Sequence, residues 1–302
     1  ITPTVTSTVG GNITADSLSS QAISNKPSSG RSGSVTGSGS TGGLIGVDST
    51  IVVINHAGAI NSNVTDGTVL NVSGQTSISA ASNANHLATA DSFAGGLLAA
   101  GVAGSTATST TVVTASLGDV SLTGGSLVIG ATRDHDMFSD TQAGSGGIAA
   151  GASAAATTRQ SGNVTASIGN SATVNLTAGL TGSALSVSTL NGSIRTFAGG
   201  LLAGAGASLR NDVVTTVLFD VGTGAVINAQ SIAIDAGSVY RKPVLSGGAD
   251  NIRGTTGGLA SGASAKSRTT IDFDTKVNIK DNARLTITGL ESNAGEFTVR
   301  AL

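Results

Sequence analysis

The feature that most narrows what this chain can fold into is a long internal repeat. A Gly-Gly-[Leu/Ile] landmark occurs five times, at Gly42-Gly43-Leu44, Gly95-Gly96-Leu97, Gly146-Gly147-Ile148, Gly199-Gly200-Leu201 and Gly257-Gly258-Leu259. The interval between successive landmarks is nearly constant, and only the last, from Gly200 to Gly258, is clearly longer. Context repeats too, because Phe93-Ala94-Gly95-Gly96-Leu97-Leu98-Ala99 returns residue for residue as Phe197-Ala198-Gly199-Gly200-Leu201-Leu202-Ala203. Self-similarity at such a period points to a stacked array of one supersecondary unit.

Downstream of each landmark come short segments in which apolar and polar residues alternate between Gly, Asn or Asp. Examples are Thr114-Ala115-Ser116-Leu117-Gly118 before Val120-Ser121-Leu122, and Thr165-Ala166-Ser167-Ile168-Gly169 before Val174-Asn175-Leu176. Period-two alternation between turn residues predicts short strands. Helical solenoids are excluded, since they need long amphipathic helices and the chain has only two Glu and five Lys. Propeller blades need aromatic anchors, and Trp is absent. The expected fold is therefore all-β, a parallel β-solenoid of about five units of roughly 53 residues. Irregular N-terminal rungs occupy 1–40, the repeat solenoid 41–289, and a further rung or edge strand begins over 290–302. Each unit would hold two rungs of about 26 residues or three of about 18. With rungs about 4.8 Å apart, two-rung units would give a rod of roughly 55 to 60 Å.

Composition removes several function classes. The 44 glycines are about twice the usual share, and 11% charged residues is under half of the usual ~25%. Glycine keeps no three-residue period, which excludes collagen. Positive mean hydropathy with only three prolines argues against disorder. A net charge of −2 without a basic run predicts no nucleic-acid partner. The longest apolar run, Phe93 to Gly104, is too short for a membrane-spanning helix. One Tyr and six Phe cannot furnish the aromatic girdles of a membrane barrel, so no membrane insertion is expected. The absence of Cys excludes disulfides and thiolate metal sites. The chain starts at Ile1 rather than Met and ends on the strand-like Phe297–Leu302, which reads as a piece of something longer.

The pattern from Phe197 through the landmark, together with Thr165-Ala166-Ser167-Ile168-Gly169-Asn170, resembles the repeats of giant bacterial filamentous, hemagglutinin-like surface adhesins. The resemblance covers roughly Thr41 to Gly289. It implies a right-handed parallel β-helix, export to the cell surface, and a role in adhesion, biofilm or sheath. It brings no catalytic residue with it. Expected partners are further copies of the chain or its own continuation, with cell-surface glycans or matrix as the adhesive alternative.

No residue pattern for catalysis or a cofactor stands out. The three histidines, His56, His86 and His135, lie in no nucleophile-elbow or His-Glu-x-x-His motif. Arg133-Asp134-His135-Asp136 with Asp140 is the densest polar patch, read as a solvated loop rather than a metal site. Gly247-Gly248-Ala249-Asp250-Asn251 touches a calcium-roll pattern only once, and Asp272, Asp274 and Lys276 share one strand face, where an ion pair is the simpler reading. Tyr240, the only Tyr, is poor provision for a sugar-stacking cleft. Six Asn-x-Ser/Thr triplets (Asn12, Asn63, Asn71, Asn163, Asn175, Asn191) fall within chance for this composition. The Thr-rich run Thr106–Thr114 does not recur at a fixed offset, as an ice-binding face would require. The candidate functional positions are thus Gly42, Gly43, Gly95, Gly96, Gly146, Gly147, Gly199, Gly200, Gly257 and Gly258, read either as a site of close chain approach or as a tight corner or short helix.

Overall fold

The computed structural model describes residues 1–243, 251–288 and 295–302. Among the described residues there are eighteen strands and no helix. Every strand pairing among them is parallel, and all strands join one sheet. An all-β chain with a large parallel sheet is compatible with a β-solenoid. Paired residues lie about one landmark interval apart along the chain, as Leu98 with Ala149 at the short end, and only the pairing of Ser231–Arg241 with Phe297–Ala301 spans more than any landmark interval. The landmark glycines therefore stack on one another: Gly42 pairs with Gly95, Gly95 with Gly146, Gly146 with Gly199, and Gly199 with Gly257.

This register corrects the expected rung length. Among the described residues no strand pairs with a partner half or a third of a repeat away. One landmark interval carries the chain through one full circuit. A repeat spacing measures the return distance between equivalent residues and says nothing of how many bends lie between.

Within a circuit the chain runs out along one wall, turns at the landmark and returns along the facing wall. Ser139 Oγ donates to Thr157 O (2.7 Å) and Thr141 Oγ1 to Ala155 O (3.2 Å), pairs symmetric about Ile148. Alternate residues of Ser121–Gly146 and Ala149–Ile168 point inward, as period-two strands require. The inward residues of the two walls near the landmark are mostly alanines, among them Ala90, Ala103, Ala143, Ala152 and Ala205, and they make a narrow core. Farther from the landmark Ile60, Leu70, Leu122, Leu127, Val164 and Phe219 belong to a second, broader core. Small side chains let the walls approach; large aliphatic ones hold them apart.

The turns between short strands are capped by acceptors from the neighbouring circuit. Asp66 Oδ1 accepts from the Asp119 amide (2.8 Å) and Asn170 Oδ1 from the Thr223 amide (3.0 Å). Asp and Asn are suited to this, because their short side chains reach backbone donors that a bend leaves unpaired. The longer final interval enters late in the chain: Thr189 pairs with Arg241, but Ile194 pairs with Ile252. The segment 244–250, with most of the calcium-like run Gly247–Asn251, lies outside the described residues.

Two other expectations, at the landmark and at Arg133–Asp136, change at the level of local structure. The short-helix reading of the landmark fails, since Ala149–Ala156, directly after it, lies in the strand Ala149–Ile168. Its alanines favour a helix by propensity, but the circuits on either side supply ladder partners that isolated propensity ignores. Arg133-Asp134-His135-Asp136 lies inside the strand Ser121–Gly146 rather than in a solvated loop. The strand Gly33–His56 runs through position 40 without a break, and Thr4–Val9, Asn12–Ala15 and Leu18–Ser24 pair with the next circuit at slightly longer offsets.

Candidate functional site

At each landmark the two glycines have different surroundings. A Cβ at Gly96, Gly147, Gly200 or Gly258 would collide with the carbonyl oxygen of the second glycine in the preceding circuit. The backbones of successive circuits touch there, and only hydrogen fits between them. At Gly42, Gly146 and Gly257, by contrast, a Cβ would meet nothing within 4 Å. The corner is hydrogen-bonded along the stack rather than loose. The Gly147 amide donates to Gly199 O (3.0 Å), and the Ile148 amide to Leu97 O (2.9 Å). The second glycine is thus required by stacking, and the residue after it is presented outward.

Between the two apolar cores runs a buried polar seam built from the three histidines of the chain and one arginine. Arg133 and His135 point inward from successive inward positions of one strand, while Asp134 and Asp136 lie on the other face. His56 stands 4.6 Å from His86 and 5.2 Å from His135, ring centre to ring centre. His135 is hydrogen-bonded at both ring nitrogens, to Ser82 Oγ (2.9 Å) and Ser109 Oγ (2.8 Å). Among the described residues the nitrogens of His56 and His86 have no well-aligned hydrogen-bond partner.

Burial sets the charge states in this seam. It lowers His56 to about 4, helped by His86. His86 is lowered chiefly by burial, opposed by the adjacent Gly33 backbone. Burial, then Arg133 and the other two imidazoles, holds His135 well below its ordinary value. All three rings are neutral at pH 7. Arg133 is pulled down to about 10 by burial and so stays protonated. Its guanidinium donates to Thr111 O and Ser161 O (both 3.0 Å), Ser186 Oγ (3.0 Å) and Thr215 Oγ1 (2.7 Å). Among the described residues no carboxylate pairs with it. In its own column Arg133 stacks between Ser82 and Ser186, small residues that leave room for the head group.

The seam joins walls and circuits instead of exposing reactive groups. Ser82, Ser109 and His135 are fully buried, so the hydroxyl–imidazole contact is closed to solvent. Among the described residues no three His, Asp or Glu side chains are placed to hold a metal ion. Asp274 pairs with Lys276 at 2.8 Å on an exposed face. Tyr240 packs against the narrow core. Thr106 stacks between Val53 and Thr157, and Thr157 against Arg210, so this column is no threonine ladder.

The landmark is legible in the sequence, whereas the seam is easily missed. Its signal is present: Arg133, His135 and Met137 alternate with Asp134, Asp136 and Phe138, and one repeat away in each direction Arg133 aligns with a serine. Among the described residues no helix is long and apolar enough to cross a membrane. Neither a family model, nor a curated protein, nor a solved structure matches the chain.

Proposed function

We propose that the chain is a stiff structural segment of a secreted bacterial surface fibre or filamentous adhesin, a right-handed parallel β-solenoid that self-associates or continues end to end. About five circuits, each one landmark interval long, make up the segment. The observation that carries this reading is the register. Each strand's partner lies one repeat away along the chain, so the architecture extends by adding circuits and has no size of its own. Stiffness follows from backbone hydrogen bonds running along the axis, one ladder per wall, with circuits about 4.8 Å apart. Continuation along the axis needs no new kind of contact, because a strand edge in this parallel register takes up a further strand readily.

The test is cryo-electron microscopy of the native material that contains the chain. A thin rod with axial layering of about 4.8 Å, extending beyond the roughly 25 Å that five circuits supply, is the expected result. Discrete globular particles without layering would overturn the fibre reading. The adhesive reading, with a cell-surface or glycan receptor as partner, predicts saturable binding by a rod that stays single.

A further inference from the structure

The landmark corners put a column of large aliphatic side chains on the outside of the stack. Leu44, Leu97, Ile148, Leu201 and Leu259 follow one another up the rod, each between 44% and 90% exposed. Beside them Ile45, Leu98 and Leu202 stand on the returning wall, each about half exposed or more. They flank a shallow groove of about 510 Å³ whose lining includes Gly151 and Gly204. A Cβ at either glycine would meet nothing within 4 Å, so packing inside the chain does not call for glycine there.

The area is large for an uncommitted surface. Eight aliphatic side chains at these exposures present on the order of 800 Å², about what one partner contributes to a standard stable interface. That exceeds the roughly 300–600 Å² of the largest apolar patch on a typical monomer. The flanking sequence is also free of charge. No Asp, Glu, Lys or Arg occurs in 32–47, 92–118, 141–158, 196–209 or 254–265. A second copy can approach this edge without stripping water from an ion or meeting a like charge.

We infer that this edge is the docking surface for a second copy of the chain, with two rods lying side by side and their landmark corners in contact. The pitch selects the partner. Aliphatic side chains recur once per circuit, about every 4.8 Å, and a surface of the same pitch is offered by another copy. Leucines of one ridge then fill the glycine-floored groove of the other, and a two-fold axis lets both copies use the same patch. The inference deepens the fibre reading and rests on it, adding the lateral contact to the axial one.

The absence of Cys makes the test direct. Leu201→Cys places a thiol on the ridge, and Thr223→Cys places one at an exposed turn remote from it. Under mild oxidation Leu201→Cys should form a covalent dimer and Thr223→Cys should not. Leu202→Arg, at an outward position, should weaken the wild-type dimer at least about 10-fold in sedimentation velocity while leaving the β circular dichroism unchanged. Equal cross-linking of the two cysteine variants, an unaltered dimer in Leu202→Arg, or a monomer at roughly 100 μM would each overturn the lateral contact. A monomer that floats with neutral phosphatidylcholine vesicles would overturn it as well and assign the ridge to lipid. Layered rods that persist in Leu202→Arg with unchanged lateral spacing would remove this inference and leave the fibre reading intact. Loss of the layered rod itself would remove the fibre reading.

Discussion

Two adjacent glycines, Gly146 and Gly147, should respond oppositely to the same methyl group. Neither has a left-handed backbone, so sterics alone decide. At Gly147 an added Cβ collides with the Gly96 carbonyl oxygen, which is backbone and cannot swing away. Relief requires the circuits to separate locally, which stretches the Gly147–Gly199 and Ile148–Leu97 hydrogen bonds from 3.0 and 2.9 Å. Two weakened ladder bonds at up to ~1 kcal/mol each, plus overpacking strain of ~1–3 kcal/mol, give a loss of about 3–5 kcal/mol for Gly147→Ala. At Gly146 the methyl meets nothing, and alanine only reduces the freedom of the unfolded chain, a gain of ~0.4–1 kcal/mol. Thermal unfolding of the two variants beside wild type reads the contrast. Gly147→Ala should melt lower by roughly 5 °C or more, and Gly146→Ala at or slightly above wild type. Equal midpoints for the two variants would refute the assignment of distinct roles to the paired glycines.

Lowering the pH should destabilise the fold through its histidines. Each imidazole has a folded pKa below its unfolded value near 6.5, so the unfolded chain binds more protons as pH falls from about 6.5 toward 4. Their contribution is complete above pH 6.5 and is lost across that window, on the order of 1–2 kcal/mol for His56 alone after solvent screening. Asp91 and Asp136, raised chiefly by burial, act in the opposite direction near their own titrations. Urea midpoints at pH 7 and pH 4.5 should therefore differ, and His56→Leu should flatten the difference; a flat wild-type profile would contradict the buried neutral cluster. Arg133→Ala should cost about 3–5 kcal/mol, since it opens a cavity and strands four oxygens, with Arg133→Lys in between because an ammonium cannot reach all four. Chemical denaturation measures both, and an Arg133→Ala loss below about 1 kcal/mol would contradict the seam's role. In hydrogen exchange, Val112–Leu117, paired on both sides, should exchange far more slowly than Phe297–Ala301, paired on one; equal rates would show that the ladder does not govern opening.

The strands and their stacking partners were largely legible, because alternation and a fixed repeat are the two signals that a parallel stack imposes on its residues. Phe93–Ala99 and Phe197–Ala203 are two circuits apart and lie in equivalent places, as their identity suggests. The number of rungs per repeat was not legible, since it depends on where the walls bend, and glycine, asparagine and aspartate occur at bends and within strands alike. The seam escaped because four consecutive polar residues, Arg133 to Asp136, look like a loop when scanned singly. Only the alternation with its neighbours, aligned against Ser82 and Ser186, separates the inward pair from the outward pair. Nor can the letters Gly-Gly reveal which glycine faces a carbonyl and which faces open space.

A wall lined by alanines, serines and threonines has a weakness that the apolar cores cannot repair. If one circuit slid along the next by two residues, every inward side chain would still point inward. The seam removes that degeneracy. Such a slide would carry the Arg133 guanidinium away from the two hydroxyls and two carbonyls that hold it and leave a buried charge without its partners, at a cost of several kcal/mol. Arg133 thus acts as a detent in a ratchet whose other teeth are nearly identical.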